Sequence, residues 1–181
     1  REMTAADSGT PLEQGAMRMF AHTPEISKGL TAFAGSLKQN RSLPDRLVEL
    51  VRLRVAFHNQ CRSCMAIRYK DGQEAGITED LICSLEKPME ADNLSDAEKA
   101  AIQYGELFAT NHLAINDDIY DNLRKYFNES EIVELSMTVA FFVGFGRLAA
   151  SYHMVEELPE SFKANEKETL TPWGNDSIIV R

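Results

Sequence analysis

The chain has 181 residues, enough for one domain with a sizeable core, and its 44% hydrophobic and 26% charged content reads as a soluble globular protein. A net charge of −9 argues against nucleic acid and anionic membranes as partners, because both require basic patches. Three cysteines are too few for an extracellular disulfide framework. They point to a reducing, cytoplasmic setting, where a close cysteine pair is more often catalytic or metal-binding than structural.

Arg1 to Gly9 are polar and show no signal-peptide pattern, and an opening Arg reads as a trimmed start. From there the pattern is helical, with segments predicted at about 11–21, 24–39, 44–58, 61–75, 78–86, 95–111, 116–127 and 129–152. The starts are marked at Thr23-Pro24, Leu43-Pro44, Thr78-Glu79, Ser95 with Glu98, and Asn128 with Glu131. The last two have capping-box spacing, and proline suits a first helical turn. No alternating strand pattern stands out, so the expected class is all-α. The segment at 129–152 is apolar nearly all round, as expected of a helix at the core or at a subunit interface. Its longest apolar run, Leu135 to Gly146, falls short of the ~20 residues of a membrane span. Residues 1–22 read as an N-terminal segment, 23–157 as a helical domain, and 158–181 as an extended tail over the surface or onto a neighbouring subunit. Trp173 and Ile178-Ile179-Val180 are its candidate anchors.

The chemistry concentrates in Cys61-Arg62-Ser63-Cys64, a CxxC at the expected start of a helix. A helix N-terminus favours thiolate over thiol, and cysteines three apart can close a small disulfide and so exchange two electrons. Two duller readings compete. Zinc needs four ligands, and only Cys83, His22, His58, His112 and His153 remain to complete a site. Free cysteines also bury readily in a core, which is the expected place of Cys83 beside Leu81, Ile82 and Leu85. His58, just before the turn, suits proton shuttling, capping or a surface role alike.

The helix ending near His58 and that starting near Cys61 should fold back as an antiparallel pair. At 1.5 Å per residue, Glu49 lies roughly 13 Å down the first and Arg68 roughly 10 Å down the second, with Cys64 one turn above Arg68. A carboxylate, a guanidinium and a thiol are therefore expected in one pocket. Pairing of Glu49 with Arg46 or Arg52 on its own helix is the competing expectation.

Glu49, eleven residues, then Cys61-x-x-Cys64, followed by Ala75-Gly76-Ile77-Thr78-Glu79, resembles the carboxymuconolactone decarboxylase-like family, and within it the alkylhydroperoxidase D-like (AhpD-like) branch. Val139-Ala140-Phe141-Phe142 with Phe145, Arg147 and Leu148 resembles that family's helix after the cysteine unit. The resemblance covers residues 25–155. It implies an all-α helical bundle, a homo-oligomer (trimer or hexamer) and reduction of a small-molecule hydroperoxide. By position Cys64 would attack the peroxide, Cys61 would resolve the sulfenic acid as a disulfide, and Glu49 would belong to a proton relay. An external dithiol would reset the pair, and no bound cofactor or metal is implied. The family's histidines between and after the cysteines are replaced here by Ser63 and Arg68. A guanidinium group neither gives up nor takes a proton in ordinary protein chemistry, so an arginine at position 68 cannot carry the relay proton. A lactone decarboxylase and a non-catalytic, redox-sensing oligomer are the rival readings.

Overall fold

The computed structural model describes residues 11–155, 158–163, 169–170, 173 and 179–180. Helices α1 (Pro11–Phe20), α2 (Pro24–Gln39), α3 (Asp45–Asn59), α4 (Arg62–Ala66), α5 (Lys70–Glu74), α6 (Glu79–Cys83), α7 (Asp96–Thr110), α8 (Asp117–Leu123), α9 (Glu129–Ser151) and α10 (Glu160–Lys163) follow in order. Short 3-10 turns at Ser84–Glu86, Pro88–Glu90 and His112–Ala114 join some of them. The all-α expectation holds. The predicted tail residues Ile178, Pro172 and Gly174, like Arg1 to Gly9, lie outside the described residues.

Local chemistry sets the helix starts. The Ser95 hydroxyl accepts from the Glu98 N–H while Glu98 accepts from the Ser95 N–H, a closed capping box at α7. Asn128 and Glu131 do the same at α9. Thr78 caps α6, and Pro24 occupies its first-turn place in α2.

Helix α3 lies between α7 and α9 and is buried from Leu47 to Ala56. Leu50, Val51 and Leu53 pack in one cluster with Ile102 of α7 and Leu135 and Val139 of α9. A helix buried on every side must also bury its polar residues, and each charged one has a partner. Glu49 pairs with Arg52, and Arg54 with Glu106. By length and composition α9 is apolar enough to cross a membrane. Here its Ile132, Leu135, Val139 and Val143 lie in the core.

The structure corrects the sequence reading at the cysteine helix. The helix expected over 61–75 is two short helices, α4 and α5, separated by extended residues Ile67 and Arg68. In a continuous helix, carbonyls there would serve N–H groups four residues on. Instead Arg52 takes the carbonyls of Cys64 and Ile67, and Arg68 takes that of Met65. With its carbonyls committed to guanidinium groups, α4 stops. Ile67 and Arg68 pair instead, in parallel, with Ile179 and Val180. This two-residue ladder is too short to announce itself by alternation. The described tail residues lie over the surface of their own chain, the first of the two expected courses, with Trp173 as an anchor. Leu158 and Phe162 are buried against Met65 and Ala66, and Trp173 packs over Phe57 with ring centres 5.6 Å apart.

Candidate functional site

The cysteine turn begins where α3 ends. Gln60 adopts a left-handed conformation (φ 50°) usually reserved for glycine. The Cys61 N–H then reaches back to the Ala56 carbonyl (3.2 Å) and the Gln60 N–H to that of Phe57 (3.0 Å), a Schellman closure. The Gln60 side chain steadies the bend, donating to the Phe57 carbonyl (2.7 Å) and accepting from the Leu170 N–H (2.7 Å). The chain thus reverses as its two-residue connection predicts, and Cys61 lands at the N-cap of α4, where its sulfur accepts from the Cys64 N–H (3.3 Å). Because α4 is five residues long, its start carries less dipole than the long helix expected.

Cys61 and Cys64 are joined in a disulfide, Cα atoms 5.2 Å apart. Cys61 is fully buried against Leu12, Ile67, Ala149 and Met154. Cys64 is half-buried. No group of three or more His, Cys, Asp or Glu side chains gathers as a metal site among the described residues.

Glu49 is buried on α3 and holds Arg52 in a two-point fork, both contacts 2.7 Å. The same guanidinium donates to the Cys64 carbonyl (2.6 Å) and the Ile67 carbonyl (2.9 Å) and lies over the Tyr69 ring, 4.9 Å from its centre. Burial would push the Arg52 pKa down, but the charge and hydrogen bonds of Glu49 outweigh it and hold Arg52 above its ordinary value. Gly72 of α5 packs directly on the pair: a Cβ there would stand 2.8 Å from Glu49 Cγ. The competing expectation, pairing of Glu49 with Arg52 on its own helix, is the one observed, and the pair reaches Cys64 through its backbone carbonyl.

Arg68 goes elsewhere. It is buried, donating to both oxygens of Glu79 (2.9 and 3.2 Å) and to the carbonyls of Met65 and Ile67 (2.7 and 3.2 Å). The strand at Ile67–Arg68 turns it off the face it would share with Cys64 on a continuous helix. Arg46, the other candidate partner of Glu49, instead binds Glu98 (2.6 Å). His58 faces α7, its Nε2 3.5 Å from Glu106 Oε1. That His58 neighbour, with Arg54 at 3.0 and 3.1 Å, draws the Glu106 carboxyl down to about 2. At 3.5 Å the imidazole stands beyond good hydrogen-bond distance, so the Arg54 fork is the firmer contact. Cys83, expected in the core, is half-buried at its edge while Leu81, Ile82 and Leu85 fill the interior.

A cleft of about 270 Å³ opens beside the cysteine turn, lined by Asn59, Arg62, Ser63, Ala149, His153 and Met154 among others. Ala149 and Met154 are also the apolar wall behind Cys61, so cleft and disulfide share a boundary. Asn59, which sequence reasoning missed, donates from Nδ2 to the Phe142 carbonyl (2.9 Å), and its buried Oδ1 has no hydrogen-bond partner among the described residues. Nothing in the local sequence distinguishes Asn59. Arg52 was visible through its three-residue spacing from Glu49, but its reach to Cys64 was not.

Comparison with known proteins agrees with this architecture. The carboxymuconolactone decarboxylase family matches residues 24–107. The uncharacterized protein Rv2313c of Mycobacterium tuberculosis is 30% identical over 121 residues, which is 65% of this chain and 42% of that protein. The chain thus spans about two fifths of that relative's length. Among solved structures, the putative antioxidant defence protein AhpD ATU0492 of Agrobacterium tumefaciens superposes with a TM-score of 0.63 at 21% identity, covering 74% of this chain and 92% of its own. A variant of the debrominase Bmp8 in complex with 2,3,4-tribromopyrrole gives 0.65 at 13% identity, covering 81% and 84%. Residues 24–107, with Glu49 and the CxxC pair inside them, match the carboxymuconolactone decarboxylase family, and the chain has an AhpD-like helical fold.

Proposed function

We propose that this chain is a thiol-dependent oxidoreductase of the peroxidase type, reducing hydroperoxides through Cys61 and Cys64 with an external dithiol as electron source. The observation that carries the reading is the asymmetry of the bonded pair: Cys61 is fully buried and Cys64 only half-buried. That asymmetry supports Cys64 as the sulfur that meets peroxide and reductant, and Cys61 as the resolving one. The Cys64 thiolate attacks the distal oxygen of ROOH. An S–O bond forms, the O–O bond breaks, and the alkoxide leaves and is protonated to ROH. The Cys61 thiol then displaces the Cys64 sulfenic oxygen as water, closing the disulfide. A dithiol returns two electrons and two protons by exchange at Cys64, the less buried of the two cysteines.

Glu49 is the acid of this site. It exchanges the Cys64 proton once one of its oxygens parts from Arg52, a task closed to Arg68, which stays protonated and bound to Glu79. The adjoining cleft offers an apolar wall for the organic part of a hydroperoxide. The reaction needs no bound cofactor, and the cysteine cycle suits the cytoplasm. Val133, Met137 and Leu148 recur at helical spacing on the exposed side of α9, a face suited to a second copy in a homo-oligomer.

The test is thiol counting. The reduced wild type carries three thiols per chain (Cys61, Cys64, Cys83). One equivalent of an organic hydroperoxide should remove those of Cys61 and Cys64 and leave Cys83. Retention of all three would refute the proposal.

A second reading, decarboxylation of a lactone acid, is favoured by the family match and by Arg62 and His153 at the cleft, which suit a carboxylate. It makes no use of the disulfide. Release of carbon dioxide from a muconolactone by protein with alkylated thiols would support it.

A further inference from the structure

The residue that links Glu49 to the cysteines belongs to no role described so far. Four hydrogen bonds leave the Arg52 guanidinium: two to Glu49, one to the Cys64 carbonyl and one to the Ile67 carbonyl. Its plane is backed by Tyr69, and its carboxylate is backed by Gly72. Arg52 sits on α3, the buried central helix, whereas Cys64 sits on α4, a five-residue stub with few bonds of its own. A stub of this length has no independent stability. Packing of Met65 and Ala66 against Leu158 and Phe162 seats the stub, and the Arg52 bond is the polar tether from α3 to the Cys64 carbonyl itself. Arg, not Lys, suits the task, because its planar fork grips a carboxylate at two points and still serves two carbonyls.

We propose that Arg52 is a positioning residue which, oriented by Glu49, clamps the Cys64 backbone at the geometry in which its sulfur meets that of Cys61, and so sets how readily the disulfide forms. The inference rests on the reading of Cys61 and Cys64 as a redox pair, and adds that their equilibrium is set from α3. Disulfide formation depends on the effective concentration of one sulfur at the other, and a fixed backbone raises it by removing competing geometries. Releasing the Cys64 carbonyl lowers that concentration and shifts the pair toward the dithiol.

The experiment equilibrates the intact chain with mixtures of reduced and oxidised dithiothreitol, then alkylates free thiols and weighs the protein. Two electrons and two protons pass in each exchange, so the ratio gives the equilibrium constant directly. Wild type, Arg52→Lys, Arg52→Met and Glu49→Gln are compared, each shown folded by circular dichroism. Arg52→Met should shift the constant toward the dithiol about tenfold or more, Arg52→Lys and Glu49→Gln by less and in the same direction. If Arg52→Met leaves a buried Glu49 that prevents folding, the Arg52→Lys shift decides alone. Constants equal to wild type in all folded variants would overturn the proposal, as would a shift toward the disulfide. A part played only in overall stability would lower the unfolding midpoint and leave the exchange constant in place. Failure of the underlying reading looks different: the wild-type pair would exchange with dithiothreitol yet ignore hydroperoxide.

Discussion

At the scale of single residues, the site depends on the separate duties of three charged side chains. Glu49 is the proposed proton-exchanging group, so Glu49→Gln should slow hydroperoxide consumption by about 10²-fold or more, read by stopped-flow thiol loss. Arg68 is structural. Arg68→Met leaves the Met65 and Ile67 carbonyls without its donors, at a cost of about 1–3 kcal/mol by urea unfolding, with peroxide consumption retained in the folded fraction. An equal loss of activity at unchanged stability would instead put Arg68 in the chemistry. The sequence made Glu49, Cys61 and Cys64 legible because their spacing is itself the signal. It misplaced the arginine because helix arithmetic assumed one continuous helix from 61 to 75, and that helix stops where Arg52 and Arg68 take its carbonyls. Long-range side-chain bonds to backbone leave no periodic trace in a sequence.

At the scale of elements, the helix starts were readable because capping is local: Ser95 and Glu98, or Asn128 and Glu131, satisfy one another within four residues. The approach of α3 to α9 was not readable, since it depends on which residues meet across the core. Gly146 of α9 shows this. A Cβ there would stand 2.5 Å from Asn59 Nδ2, the group that binds the Phe142 carbonyl. Gly146→Ala should therefore displace the Asn59 amide and destabilise the fold by about 1–3 kcal/mol, measured by urea unfolding, despite the better helix propensity of alanine. A gain in stability would show that the end of α3 has room to shift. Truncating the centre of α3 should cost more: Leu50→Ala, fully buried, about 2–5 kcal/mol.

For the whole molecule, buried arginine–carboxylate pairs tie α3 to its neighbours, and they make stability pH-dependent. Glu106 has its carboxyl lowered from 4.5 to about 2 by His58 and Arg54. A depressed carboxyl contributes stability that is fully present above its unfolded value and lost as pH falls through the folded one. Glu98, lowered against burial by Arg46 and Ser95, acts in the same sense. The urea midpoint should thus fall between pH 4.5 and pH 2, and Glu106→Gln should flatten that fall. The all-α class followed from composition and periodicity, which left the 129–152 helix at the core or at an interface; one side of it lines the core. Trp173 stood out as an anchor of the tail, but its place on Phe57 and that of Phe162 on Met65 did not, because a polar, proline-containing segment has no period to read.

The account turns on which sulfur meets peroxide, and trapping its oxidised form tests this most directly. Cys61→Ser, with no resolving thiol, is treated with one equivalent of organic hydroperoxide and a dimedone-type sulfenic acid probe, then digested and sequenced by mass spectrometry. The account predicts a single adduct on Cys64. An adduct on Cys83 alone, or an unmodified Cys64 with the peroxide unconsumed, would contradict it.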